Sequence, residues 1–271
     1  MRFLAGLAAA LSALALTGTA AAAYPSSIAS TGDSITRGFN DCSFPYVDCP
    51  AASWSTGTSS SVNSHYLRIR AANPAISGRN YNDSVTGADM ADLLGQVQRA
   101  VAQQVEYVTI LMGANDVCAS SESAMTPVAT FRAQFEQAMA ALAAGLPNAR
   151  VFVASIPDIY QLFAIYRSSF AAQSVWTLAG ICQSMLANAW SNLPWDVARR
   201  SRVRQRNIDY NTQLAQVCGA YVVCRFDNNA VFNTPFTRSD VTTRDYFHPS
   251  VAGQAKLAAV TWAATFDFAS G

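Results

Sequence analysis

Two stretches, residues 105–112 (VEYVTILM) and 150–156 (RVFVASI), most constrain what this 271-residue chain can fold into. Each is an almost unbroken apolar run of strand length, as expected for a strand covered on both faces. Strands of that kind belong to parallel sheets, where each returns to the next through a crossover helix. The flanking sequence supplies the remaining elements. Residues 27–31, 80–84 and 221–225 read as further short strands, and 88–104, 127–144, 197–218 and 250–266 as helices. Two excursions interrupt the alternation: a Ser-, Thr-, Cys- and Pro-rich loop over 40–64, and inserted helices over 160–195 carrying Phe163, Tyr166, Phe170, Trp176, Trp190 and Trp195. No repeat or linker divides the chain, so an α/β layered domain is expected.

The first 23 residues stand apart from that pattern. Met1-Arg2 is a short positive start, residues 3–16 are apolar, and Ala21-Ala22-Ala23 offers a small-residue cleavage site before Tyr24. This is the pattern of a secretory signal peptide, and its apolar stretch falls short of the roughly 20 residues that span a bilayer. The expectation is a signal peptide over 1–23, a single domain over 24–271, secretion, and no stable membrane insertion. Six cysteines, Cys42, Cys49, Cys118, Cys182, Cys218 and Cys224, suit an oxidising destination. Closeness in sequence favours Cys42–Cys49 and Cys218–Cys224, leaving Cys118–Cys182, although six cysteines allow about 15 pairings. With no C-x-x-C and only two histidines, a zinc site is not expected.

Composition excludes other classes. A hydrophobic share of 51% against 13% charged residues rules out disorder. A net charge of +1 gives no overall attraction to nucleic acid. Phosphate-loop, dinucleotide-binding and HExxH strings are missing, and no cofactor or metal is expected.

The two histidines, His65 and His248, narrow the chemistry further. His248 lies in Asp245-Tyr246-Phe247-His248-Pro249, where a carboxylate three residues earlier can reach the imidazole in a tight turn and fix its tautomer. Thr31-Gly32-Asp33-Ser34 follows the first strand, so Gly32 can turn the chain and present Ser34 at the sheet's carboxyl edge. Gly113-Ala114-Asn115-Asp116 ends the 105–112 strand, and Asn82-Asp83-Ser84-Val85-Thr86-Gly87 follows the second. No G-x-S-x-G elbow is present.

These four blocks in order (GDSITRG, NDSVTG, GAND and DYFHP) resemble those of the SGNH, or GDSL-type, hydrolase superfamily. The leader and cysteines are similar to those of secreted actinobacterial lipases and esterases. The resemblance implies a flavodoxin-like three-layer α/β/α sandwich with about five parallel strands. It implies Ser34 as nucleophile, His248 as general base and Asp245 as its orienting acid. Ser34, Gly87 and Asn115 would then form the oxyanion hole. The expected activity is a secreted serine esterase or lipase acting on a small-molecule or lipid ester as a monomer. Deacylation of a polysaccharide is the alternative, and a non-catalytic binding domain a more distant one.

Other features have plainer readings. His65 has no carboxylate three residues earlier and is expected to be structural or to wall a pocket. Asp33 and Asp116 read as turn anchors. The run Arg199, Arg200, Arg202, Arg204 and Arg206 reads as a solvated helix face with Val203 turned inward. A phosphate-binding patch is the alternative. The aromatic insert reads equally as a binding groove or as helix–helix core.

Overall fold

The computed structural model describes residues 24–269. The expected signal peptide therefore lies outside the described residues. Five strands form one parallel sheet in the order β2-β1-β3-β4-β5: β1 Ile28–Gly32, β2 Asn80–Asn82, β3 Tyr107–Leu111, β4 Arg150–Val153 and β5 Cys224–Phe226. Ten α-helices are present among the described residues. They are α1 Ser34–Arg37, α2 His65–Ala72, α3 Leu93–Ala102, α4 Ala114–Val117, α5 Val128–Gly145, α6 Ile159–Tyr166, α7 Phe170–Leu178, α8 Gln183–Leu186, α9 Pro194–Cys218 and α10 Val251–Ala264. Helices α3, α5 and α9 pack one against the next along one side of the sheet. On the other, His65 of α2 bonds both Tyr107 of β3 and Thr261 of α10. The result is a three-layer α/β/α sandwich.

The central strands are the expected ones. β1 and β3 are buried at every position and β4 at three of its four. The edge strands β2 and β5 are only partly covered, which is why their sequences carry less apolar signal. From β1 the chain crosses to β2 on one side and later to β3 on the other. A crevice therefore opens beyond the carboxyl ends of β1 and β3, the place where open α/β sheets bind ligands.

Two details depart from the sequence reading. Helix α2 lies just after the polar loop and was not anticipated. It starts at Ser64, whose hydroxyl accepts from the Leu67 N–H at 3.2 Å. The expected helix 88–104 is split: a 3₁₀ turn over Met90–Asp92, closed by a capping box from Asp89, precedes α3. Disulfides join Cys42 to Cys49, Cys118 to Cys182 and Cys218 to Cys224.

Candidate active site

Ser34 owes its position to a turn that only glycine can make. Gly32 ends β1 at φ +146°, and a Cβ there would stand 2.3 Å from the Leu111 carbonyl oxygen of β3. The buried Gln96 side chain clamps this turn, accepting from Gly32 N–H at 2.7 Å and donating to its carbonyl at 2.9 Å. Asp33 caps the short α1 through the Ile35 N–H at 2.9 Å, leaving Ser34 as the first helical residue. Gln254 of α10 holds the next turn, donating to the Ile35 carbonyl at 2.8 Å and accepting from Trp54 N–H at 3.1 Å.

The loop before α10 delivers a histidine to that hydroxyl. His248 Nε2 lies 2.8 Å from Ser34 Oγ, and its Nδ1 lies 2.7 Å from Asp245 Oδ2. Tyr246, between acid and base, sits at φ +56°. Its carbonyl accepts from the buried Trp176 indole N–H at 3.0 Å. Asp245 is buried, and its Oδ1 accepts from the Phe247 and His248 N–H groups at 2.9 and 3.0 Å. Burial alone would raise its pKa. The hydrogen bond and charge of His248, with the two backbone N–H groups, outweigh burial and hold the carboxyl below its ordinary range. With Asp245 ionised, Nδ1 must carry the proton, which leaves the Nε2 lone pair facing Ser34.

The second and third strand-end turns are tied together beside this pair. Asn115 Nδ2 donates to the Ala88 carbonyl at 2.8 Å, and Asp116 Oδ2 accepts from Met90 N–H at 2.9 Å. Gly113, at φ +121°, makes the β3 turn, where a Cβ would collide with Ile156 and Phe131. Gly87 lies on the exposed rim at φ +84°, next to the residue that Asn115 holds. Neither the Ser34 nor the Gly87 backbone N–H has an acceptor among the described residues. Asn115 spends one of its two amide protons on Ala88.

From Ser34, Asn115 and His248 a cleft with about 680 Å³ of empty space, open solvent included, runs between α6 and α10. Its walls are mostly apolar, with Ile35, Ile159, Leu162, Ile165, Phe236 and Leu257 among them. Hence the insert does contribute to the pocket, but through the aliphatic side chains of α6. Its aromatic residues divide differently: Phe163, Tyr166 and Trp176 are core, while Phe170, Trp190 and Trp195 are exposed.

Buried acids beside the site are strongly perturbed. Asp33 is fully buried, and loss of water around it pushes its pKa up to about 7. Burial likewise raises Asp41 to about 7 and Asp116 to about 6. His65 stands apart from all of these groups, sealed beneath the opposite face of the sheet. The arginine run is only partly a solvated face: Arg202 and Arg204 are exposed, the other three are covered to differing degrees. Arg200 is buried over the Phe163 ring, Arg199 and Arg206 donate to backbone carbonyls, and Arg202 and Arg204 pair with Glu122 and Asp158. Val203 does point inward. No group of three or more potential metal ligands occurs among the described residues.

A flavodoxin-ordered sheet with a serine after β1, an asparagine after β3 and a histidine before the last helix defines a carboxylic-ester hydrolase of the SGNH type. Residues 28–260 match the GDSL-like lipase/acylhydrolase family, and the chain belongs to it. In fold it is similar to an extracellular lipase from Streptomyces rimosus: 18% identity, TM-score 0.52, 88% of this chain and 99% of that one. It is also similar to an acetylxylan esterase from Geobacillus stearothermophilus: 15% identity, TM-score 0.52, 90% of this chain and 96% of that one. No curated protein matches the chain in sequence.

Proposed function

We propose that the protein is a secreted serine esterase or lipase that transfers the acyl group of an apolar ester to Ser34 and then to water. The observation that carries this reading is His248, whose two ring nitrogens lie 2.8 Å from Ser34 Oγ and 2.7 Å from Asp245 Oδ2. As Ser34 Oγ adds to the ester carbonyl carbon, His248 Nε2 takes the hydroxyl proton, and Asp245 stabilises the imidazolium without being protonated. The oxyanion is met by the Ser34 and Gly87 N–H groups and the spare amide proton of Asn115. Each such donor is worth about 10²–10³ in rate. Collapse expels the alcohol, which takes the proton from His248. Water then attacks the acyl-enzyme, His248 accepts the water's proton, and that proton returns to Ser34 Oγ as the acid leaves. One chain provides every group, so a single subunit suffices.

The apolar cleft favours an acyl chain over a sugar. Each methylene buried there contributes about 0.8 kcal/mol, whereas a carbohydrate would leave hydroxyls facing Leu162 and Ile165. Three disulfides accord with an exported protein, and no described helix is long and apolar enough to cross a membrane. We assign residues 1–23 to a cleaved leader and 24–271 to the enzyme. Sequencing the N-terminus of the exported protein should therefore find Tyr24 first.

The functional test compares wild type with Ser34→Ala on nitrophenyl esters of increasing chain length and on acetylated xylan. The expected result is hydrolysis that improves with chain length and is lost in Ser34→Ala. Equal activity in both proteins would overturn the enzyme mechanism. A preference for the xylan would instead favour polysaccharide deacylation.

A further inference from the structure

Taking Asp245 as the acid of the proposed triad, we infer that Asn40 is a positioning residue that holds this carboxylate against His248. Asn40 stands two residues before the loop closed by Cys42–Cys49, lies only 2% exposed, and donates from Nδ2 to Asp245 Oδ2. That oxygen is the one that accepts from His248 Nδ1. The backbone N–H groups of Phe247 and His248 anchor only the other oxygen, Oδ1. With Oδ1 as a pivot, the carboxylate plane is free to turn, because the terminal torsion of an aspartate is broad. The Asn40 amide removes that freedom and keeps Oδ2 on the imidazole.

The amide's own orientation is fixed by chemistry. Asn40 Oδ1 accepts from the Tyr46 N–H at 2.5 Å, so the NH₂ end must face the acid. The backbone is held as well: Asn40 N–H donates to the Val47 carbonyl at 3.0 Å, and its carbonyl accepts from Arg244 at 2.7 Å. Arg244 also reaches the Ser43 and Phe44 carbonyls at 3.1 and 3.0 Å, and the Tyr46 hydroxyl donates to the Arg244 carbonyl at 3.3 Å. The loop and the triad turn are thereby locked to each other beside the acid. Asn40 adopts φ +72°, a backbone conformation that asparagine tolerates better than other side chains and that glycine adopts freely. Asn40→Gly therefore removes the amide without straining the turn. Asn40→Asp keeps an acceptor for Tyr46 but loses the donor.

Asn40 does not line the cleft, so its loss should lower kcat and spare KM. The test is a double-mutant cycle on nitrophenyl butyrate hydrolysis with wild type, Asn40→Gly, Asp245→Ala and the double variant. In the wild-type background Asn40→Gly is expected to lower kcat about 10- to 100-fold, part of what a positioned base supplies, with KM within about twofold. In the Asp245→Ala background the same change is expected to cost less than about twofold. An equal loss in both backgrounds, or no loss in the first, overturns the inference while leaving the triad standing. Full activity of Asp245→Ala overturns the triad reading itself, and the inference with it. Should Asn40→Gly not fold, the same cycle run with Asn40→Ala, which adds no charge beside Asp245, gives the same discrimination.

Discussion

The chain's two histidines occupy opposite kinds of surroundings. His248 sits at the sheet's carboxyl edge with its side chain 14% exposed, between an ionised acid and a hydroxyl. His65 is wholly buried, with Tyr107 OH 3.0 Å from Nδ1 and Thr261 Oγ1 2.8 Å from Nε2. Thr261 spends its own proton on the Leu257 carbonyl at 2.6 Å, so it must accept from His65 Nε2–H. Nδ1 therefore accepts from Tyr107, which in turn accepts from Thr265 at 2.7 Å. Every proton in this chain is committed, and burial pulls His65 down to about 3. Under the proposed mechanism the same imidazole is a proton carrier where a carboxylate and an open cleft face it, and a neutral staple where hydroxyls and rings do. The neighbours decide the role.

Substitution should separate the two roles completely. His248→Ala is expected to lower kcat/KM by about 10⁴–10⁶ while shifting Tm by no more than about 2 °C. Ester hydrolysis and calorimetry on one preparation check both numbers. His65→Ala should do the reverse. It leaves the Tyr107 hydroxyl proton without an acceptor and opens a cavity in the core, together about 2–5 kcal/mol. A fall in Tm on the order of 10 °C is expected, with kcat at 25 °C within about threefold of wild type. Comparable activity loss in both variants would break the contrast.

Titration sharpens it further. His65 is depressed in the folded state, to about 3, against about 6.5 when unfolded. The unfolded chain therefore binds the extra proton, and this contribution to stability is lost as pH falls from about 6.5 toward 3. In denaturant melts the advantage of wild type over His65→Gln should shrink steadily from pH 7 to pH 4. A constant gap would contradict a buried neutral imidazole. Asp33 supplies the smaller, opposite effect. Burial raises it from 3.8 to about 7, so the folded state holds the proton and stability is lost as pH rises between those values. Asp33→Asn, which keeps an oxygen for the Ile35 N–H, should gain on wild type across that interval.

Much of the fold was legible because the central strands are covered on both faces and must be apolar throughout. The strand-end blocks were legible for a related reason: Gly32 and Gly113 occupy conformations that admit little else, leaving a readable mark beside Ser34 and Asn115. What stayed hidden acts through long-range polar contacts. Gln96, Gln254, Asn211 and Asn40 are buried amides that pair with backbone or carboxylate groups far away in sequence. Nothing in their local spacing marks them. The arginine run reads only in part for the same reason, since its partners are the Asp158 cap of α6, the loop before α5 and the 187–191 turn. Helix α2 was missed because its weakly amphipathic sequence follows a polar loop without an apolar stripe.

The most direct test of the account is covalent capture of the nucleophile. On treatment with diethyl nitrophenyl phosphate, peptide mass spectrometry should find the diethylphosphoryl group on Ser34 in wild type and in His65→Gln alike. His248→Ala should remain unlabelled over the same interval. Labelling on another residue, or His248→Ala labelling as fast as wild type, would contradict the assignment of Ser34 and His248 as nucleophile and base.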